Sequence, residues 1–216
     1  MKINGEKSKL MLFNMTQKYR FPPELSFSDG NYLEVLDSMK VLGVIISNSL
    51  KWKENTDFIT SKARAEIWTI RRLDNLGFDD QFILDVYKKE IRSILEYNVP
   101  VWNGSITRKE SNKIEDVQKS VLRVLLKNKY SPYTEACKTF KLEKLYKRRI
   151  QLCIKFSRKE YNKQNNGIFT KAQSKSKRIK NNMLVTEPKA RTSRYYKSAI
   201  PYLSRLLNNS QKLSTF

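Results

Sequence analysis

The amino-acid sequence predicts an α+β protein that is mainly α: a small antiparallel β piece, then a five-helix bundle, then a basic, flexible C-terminal tail. Three observations carry that expectation. Short runs rich in β-branched and aromatic residues fill the first fifty positions. From Trp52 onward apolar residues recur at helical spacing as far as about residue 162. From Lys163 that pattern dissolves into a polar, lysine-rich stretch. The chain is thereby divided into segments 1–52, 53–162 and 163–216.

In the β piece, LMLFNM (10–15) follows a lysine-rich start and reads as a strand. ELSFSDGNYLEVL holds Asp29-Gly30 between two short alternating runs, which signals a type I′ hairpin. Lys40-Val41-Leu42-Gly43-Val44-Ile45-Ile46 has strand length and enough continuous apolar character for a single strand buried on both faces.

The period then becomes helical. One helix is expected over 55–76, with Ile59, Ala63, Ile67, Ile70 and Leu73 on one side and Gly77 as its stop. A second runs from about 80 to 97, with Phe82, Ile83, Val86, Tyr87, Ile91, Ile94 and Leu95 inward, and ends before Pro100. A third opens at the capping box Thr107-Arg108-Lys109-Glu110 and turns Ile114, Val117, Val121, Leu122 and Leu125 inward. Ser131-Pro132 starts a short fourth, with Pro at its first helical position. A fifth spans about 142–162. NKQNNGIFTKAQSKSKRIKNN then reads as a linker, or as an arm that orders on binding, before a last apolar segment, SAIPYLSRLLN.

Phe78-Asp79-Asp80 spells the aspartate pair of a metal-dependent polymerase, but its setting argues otherwise. Two-metal chemistry needs carboxylates converging on ions about 3.5–4 Å apart, and nothing β-like flanks this pair. It lies between a helix-ending glycine and the next helix. Asp79 is expected as an N-cap and Asp80 in the first turn, where negative charge meets the positive end of the helix dipole.

Lys+Arg 43 against Asp+Glu 21 leaves a net charge of +22, unevenly placed. Residues 1–130 carry 22 basic and 17 acidic side chains, whereas residues 131–216 carry 21 and 4. A field so one-sided suits a polyanion, a phosphate backbone above all. The longest apolar run, Val41–Ile46, is far short of the roughly 20 residues of a spanning helix, and MKINGEKSK has no apolar core to make a signal peptide. An intracellular protein, nuclear or cytoplasmic, is therefore expected. There is no histidine, which removes Ser-His-Asp and Cys-His catalysis and histidine metal sites. Cys137 and Cys153 fall at apolar helix positions and read as small core residues.

Several segments, in order, resemble one family. NGEKSKLMLF (4–13), LEVLDSMKVLGVIISNSLKW (33–52), LDVYKKEIRSILEYNVPVW (84–102) and KIEDVQKSVLRVLL (113–126) are similar to the C-terminal part of reverse transcriptases from non-LTR (LINE-type) retrotransposons. RTSRYYKSAIPYLSRLLN (191–208) looks like the segment that often closes such reading frames. The resemblance implies that Asn4, Lys7 and Ser8 match the last palm motif, with Lys7 near the incoming nucleotide's phosphates as a candidate proton donor to pyrophosphate. It implies that Ser26 to Ser47 is the primer grip and that the helices from residue 55 form the thumb. The family's metal-binding aspartates, and with them its Mg, belong to a palm upstream of these segments. The chain is accordingly expected to hold no cofactor itself, to grip an RNA or DNA template–primer duplex, and not to polymerise alone, unless an upstream palm and fingers segment acts in trans.

The nucleic-acid candidates are Lys40, Lys62, Arg64, Trp68, Arg71, Arg72, Lys144, Lys147, Arg148, Lys155, Arg158 and Lys159. Arg64, Arg71 and Arg72 stand at i−4, i+3 and i+4 from Trp68, as guanidinium groups around an indole. The arginines are expected to contact phosphate and Trp68 to pack against another helix. On the fifth helix, Lys144, Lys147, Arg148, Lys155, Arg158 and Lys159 oppose Leu142, Leu145, Leu152, Cys153 and Phe156. Arg149 falls on the apolar stripe and is expected to snorkel or to pair with a thumb carboxylate. The alternative is a stand-alone basic protein that chaperones or condenses nucleic acid through charge, with no enzymatic activity.

Overall fold

The computed structural model describes residues 8–13, 33–129, 131–163, 167–172 and 183–212. Asn4, Lys7, the Asp29-Gly30 hairpin and most of the basic linker lie outside the described residues. The architecture is α+β and mainly α, with a small antiparallel sheet. It divides into two compact units, the first ending at Phe58 and the second beginning at Ile59.

In the first unit, β1 (Lys9–Leu10) and β2 (Glu34–Val35) form a two-residue parallel pair, and Lys9 forms an ion pair with Glu34 across it. The antiparallel sheet is a hairpin of β3 (Ser38–Val41) and β4 (Val44–Ser47), with Val41 opposite Val44. The run expected as one doubly buried strand is therefore folded back on itself. Leu42 (φ 46°) and Gly43 (φ 84°) occupy the turn. Two positive φ values in a two-residue loop match the right-handed twist of the flanking strands. Glycine adopts that conformation freely, whereas for leucine it costs about 1–2 kcal/mol. Leu42 is 86% exposed and Val41 also faces solvent, so only Val44 and Ser47 of the hairpin are buried. Helix α1 (Lys53–Ala65) begins in this unit, where Asn55 Oδ1 accepts from Ile45 N at 3.1 Å.

The helix expected over 55–76 is interrupted at Glu66, giving α1 and α2 (Ile67–Asn75). The turn between them is tightened by a Thr69 N to Glu66 O bond of 3.1 Å. After Gly77 (φ 81°) comes α3 (Asp80–Val86), which continues through a π-helical turn, Tyr87–Ile91, into α4 (Arg92–Glu96). Tyr87, Ile91 and Leu95, spaced by four along this stretch, all reach zero exposure. Phe82, expected inside, is half exposed and stacks on Phe78 with ring centroids 5.0 Å apart.

Next come α5 (Val99–Trp102), α6 (Arg108–Leu126), α7 (Tyr133–Thr139) and α8 (Leu145–Tyr161). The capping box opens α6 as expected: Glu110 N donates to Thr107 Oγ1 at 3.2 Å and Thr107 N to Glu110 Oε2 at 2.6 Å. Pro132 is the N-cap of α7 rather than its first helical residue. The core of this unit lies along α6, against which α2, α7 and α8 pack, with Ile114, Val117, Val121 and Leu122 fully buried.

The C-terminal segment adds α9 (Ser193–Lys197) and α10 (Ala199–Lys212). Helix α10 packs along α8 and buries Leu203 and Leu207. Asn208 ties down the strand-like segment before it, its Oδ1 accepting from Leu184 N at 3.0 Å and Val185 N at 3.2 Å, its Nδ2 donating to Val185 O at 3.1 Å. Where described, the tail expected to be flexible is thus docked on the helical unit. The buried apolar side chains of SAIPYLSRLLN supply the physical reason.

Candidate nucleic-acid interface

Asp79 is the N-cap of α3. Its backbone is extended (φ −68°, ψ 151°) and its carboxylate accepts from Phe82 N at 3.2 Å. Asp80 occupies the first turn. The carboxylate of Asp79 is therefore directed at the backbone of its own helix, as its position after Gly77 required.

Trp68 does not pack against a neighbouring helix. Despite the turn at Glu66, Ile59 and Ala63 of α1 and Ile67 and Ile70 of α2 are buried along one continuous stripe, which leaves Trp68 on the opposite side, 61% exposed. Arg72 follows one turn later with its guanidinium carbon 5.3 Å from the ring centroid of Trp68. Arg71 is exposed beside it, and Lys62 and Arg64 are exposed in the last turn of α1, where cations also oppose the helix dipole. Of the three arginines expected around the indole, the structure brings only Arg72 onto it. Lys40 belongs to the first unit, exposed on β3 with Nζ 4.6 Å from the Phe58 ring centroid.

The cationic face of α8 is smaller than its sequence suggests. Arg148 is half-buried and ion-paired through Nε to Glu96, which also lies 3.9 Å from Arg92. Lys144 is the backbone N-cap and stands over Tyr133, 5.8 Å from its ring centroid. Lys147, Lys155, Arg158 and Lys159 remain exposed. Arg149 neither snorkels nor pairs with a carboxylate among the described residues. It is 1% exposed and donates from Nε to Asn103 Oδ1 at 3.0 Å and from Nη2 to Ser111 Oγ at 2.6 Å. Burial lowers its pKa from the usual arginine value. Its reach is spent in the core because α5 and α6 offer it neutral oxygens there.

Beneath α8 lies a polar network that periodicity alone conceals. Tyr87 donates to Gln118 Oε1 at 2.6 Å, and Gln118 Nε2 donates to Tyr133 Oη at 2.9 Å and Glu143 O at 3.1 Å. Tyr133 in turn donates to Glu115, whose carboxylate accepts from Leu145 N at 3.2 Å and Tyr146 N at 2.5 Å. A buried carboxylate from α6 thus caps α8 and fixes where the α8 cations are presented. Burial, then the bond to Glu115, drives the Tyr133 phenol far above its ordinary value, and burial does the same to Tyr87. Cys137 and Cys153 are buried free thiols, as their apolar positions implied.

Among the described residues, no helix is long and apolar enough to cross a membrane. No family model matches the chain, and neither a curated protein nor a solved structure does.

Proposed function

We propose that the chain grips a nucleic-acid template–primer duplex, as the primer-grip and thumb part of an RNA-directed DNA polymerase of the non-LTR retrotransposon type, inside the cell in nucleus or cytoplasm. The observation that carries the gripping role is Trp68, 61% exposed, with the Arg72 guanidinium 5.3 Å from its ring. An indole left in water forgoes burial worth roughly 1.5–3 kcal/mol for a large apolar side chain. Flanked by Arg71 and Arg72 it suits a sugar–phosphate groove, the ring lying on sugar or base edge while guanidinium groups pair with phosphate. The ordered series of family-like segments supplies the polymerase part of the reading. A second reading, condensation of nucleic acid by charge alone, is favoured by the excess of 21 basic over 4 acidic side chains in residues 131–216.

The test is titration of a labelled RNA–DNA hybrid with wild type and with Arg64→Ala, Arg71→Ala, Arg72→Ala and Trp68→Ala. Each should weaken hybrid binding, Trp68→Ala and Arg72→Ala most, because those two side chains form one surface. Wild-type affinity in all four variants would sink the grip and leave condensation by charge.

A further inference from the structure

Helix α9 buries none of its residues, yet it is held by several polar contacts. Thr192 Oγ1 accepts from Tyr195 N at 3.2 Å, Ser105 Oγ donates to Lys197 O at 2.8 Å, and Arg205 Nη2 donates to Tyr196 O at 2.7 Å. Gly104 approaches so closely that a Cβ there would stand 2.6 Å from Lys197 O and from the Tyr202 ring. Fixing backbone costs about 1–2 kcal/mol per residue, and α9 returns little for it, since none of its side chains is fully buried. What the fixed helix presents is specific. Tyr195 is 44% and Tyr196 51% exposed, and Arg191, Arg194 and Lys197 face solvent around them. The guanidinium carbon of Arg205 lies 3.6 Å from the Tyr196 ring centroid. Residues 188–212 contain six Lys or Arg and no Asp or Glu.

We propose that α9 with Arg205 is a binding platform for single-stranded nucleic acid, on which unpaired bases stack on Tyr195 and Tyr196 while Arg191, Arg194 and Lys197 engage the phosphates. The strand is single because a duplex hides the base faces that such rings accept, whereas every unpaired base offers one. Arg205 covers one side of Tyr196 and its hydrogen bond to the Tyr196 carbonyl holds the ring in place for a base on the other. Helix α9 is five residues long, Ser193-Arg194-Tyr195-Tyr196-Lys197, and lacks the long apolar face by which an amphipathic helix enters a membrane surface. The platform uses residues separate from those of the duplex grip and does not depend on it.

The experiment compares a labelled oligouridine with the RNA–DNA hybrid on the full chain, using the double variants Tyr195→Leu/Tyr196→Leu and Tyr195→Phe/Tyr196→Phe and the single variant Arg205→Gln. The Leu pair should lose about tenfold or more in oligouridine affinity, the loss expected when base–aromatic stacks are removed. The Phe pair should keep its affinity, and both pairs should keep hybrid affinity and melting temperature, since the rings are exposed. Arg205→Gln should fall between. Photo-crosslinking of a bromouridine oligonucleotide to wild type should label the peptide carrying Tyr195 and Tyr196. Unchanged oligouridine affinity in the Leu pair, equal losses on oligouridine and hybrid, or binding of anionic vesicles that the Leu pair alone abolishes would each overturn the proposal. If the α2 arginine variants leave hybrid binding untouched while the Leu pair loses oligouridine, the duplex grip fails and the platform stands.

Discussion

Asp79 shows how one side chain is assigned by its surroundings. An acceptor aimed at Phe82 N satisfies one of the four amide donors that the start of α3 leaves open. Asp79→Ala should therefore destabilise the protein by roughly 0.5–2 kcal/mol while Asp79→Ser or Asp79→Asn is nearly silent. Melting curves with and without Mg²⁺ check this, since a metal-binding role would show stabilisation by the ion that all three variants lose. Cys153 gives a second residue-level expectation. Burial pushes its thiol up from 9.0 to about 12, so the unfolded chain releases this proton first. The stability it contributes is intact below about pH 9 and lost as pH rises toward 12, by about 1.4 kcal/mol per pH unit within that window. Melting temperature should fall from pH 9 to pH 11, and Cys153→Ala should make the fall shallower, the raised phenols of Tyr87, Tyr133 and Tyr202 accounting for what remains. An identical slope in the variant would refute the assignment.

Elements were legible where one periodicity ran unbroken between clear signals. The α6 segment has a capping box, an apolar stripe and no interruption, and it forms as read. The hairpin is harder to see, because Val41 to Ile46 has the composition of a buried strand and a single residue, Gly43, breaks it. An isolated glycine in a strand pattern marks a bulge, a turn or a close approach, and here it was the turn. That Trp68 lies opposite the buried stripe of Ile59, Ala63, Ile67 and Ile70 is legible from their spacing, but whether another helix covers that opposite face depends on tertiary packing, and here Trp68 stays 61% exposed. The buried network was partly visible, since Gln118 shares the α6 stripe with Ile114, Val121 and Leu122, and a polar residue at such a position requires partners. Which partners it finds depends on α7 and the π turn, that is, on tertiary packing. The energetic centre of that network is Glu115. Glu115→Ala would leave Leu145 N, Tyr146 N and the Tyr133 hydroxyl without their acceptor. It should cost about 3 kcal/mol or more, because bonds to a charged group are worth about 1.5–3 each and buried donors are left unpaired. Glu115→Gln, which keeps an acceptor oxygen, should cost less. Chemical denaturation separates them, and equal stability of Glu115→Ala and wild type would show that α8 holds its start without the carboxylate.

At the scale of the whole molecule the question is whether binding follows position or total charge. Truncation after residue 162 cannot decide it, because α10 buries Leu203 and Leu207 against the helical unit and its removal would strip core along with cations. Neutralisation in place is the cleaner test. Lys175, Lys177, Arg178 and Lys180 can be changed to Gln together, removing four charges from the run that the sequence marks as linker. Each phosphate neutralised by the protein releases condensed counterions, so the slope of log K against log salt is about −0.9 per contact on B-form DNA and of similar order on a hybrid. A positional grip predicts that Arg71→Ala or Arg72→Ala shallows the slope by about one contact, while the four-charge linker variant weakens binding less than its charge would suggest. Condensation predicts the reverse, with affinity and slope tracking the number of cations removed and the linker variant losing most. Salt titrations of these variants on one labelled hybrid separate the outcomes, since the grip loses more from one arginine on α2 than condensation can lose from one charge among 43. A linker variant that loses several contacts of slope, beside arginine variants indistinguishable from wild type, would assign binding to charge and remove α2 from the interface.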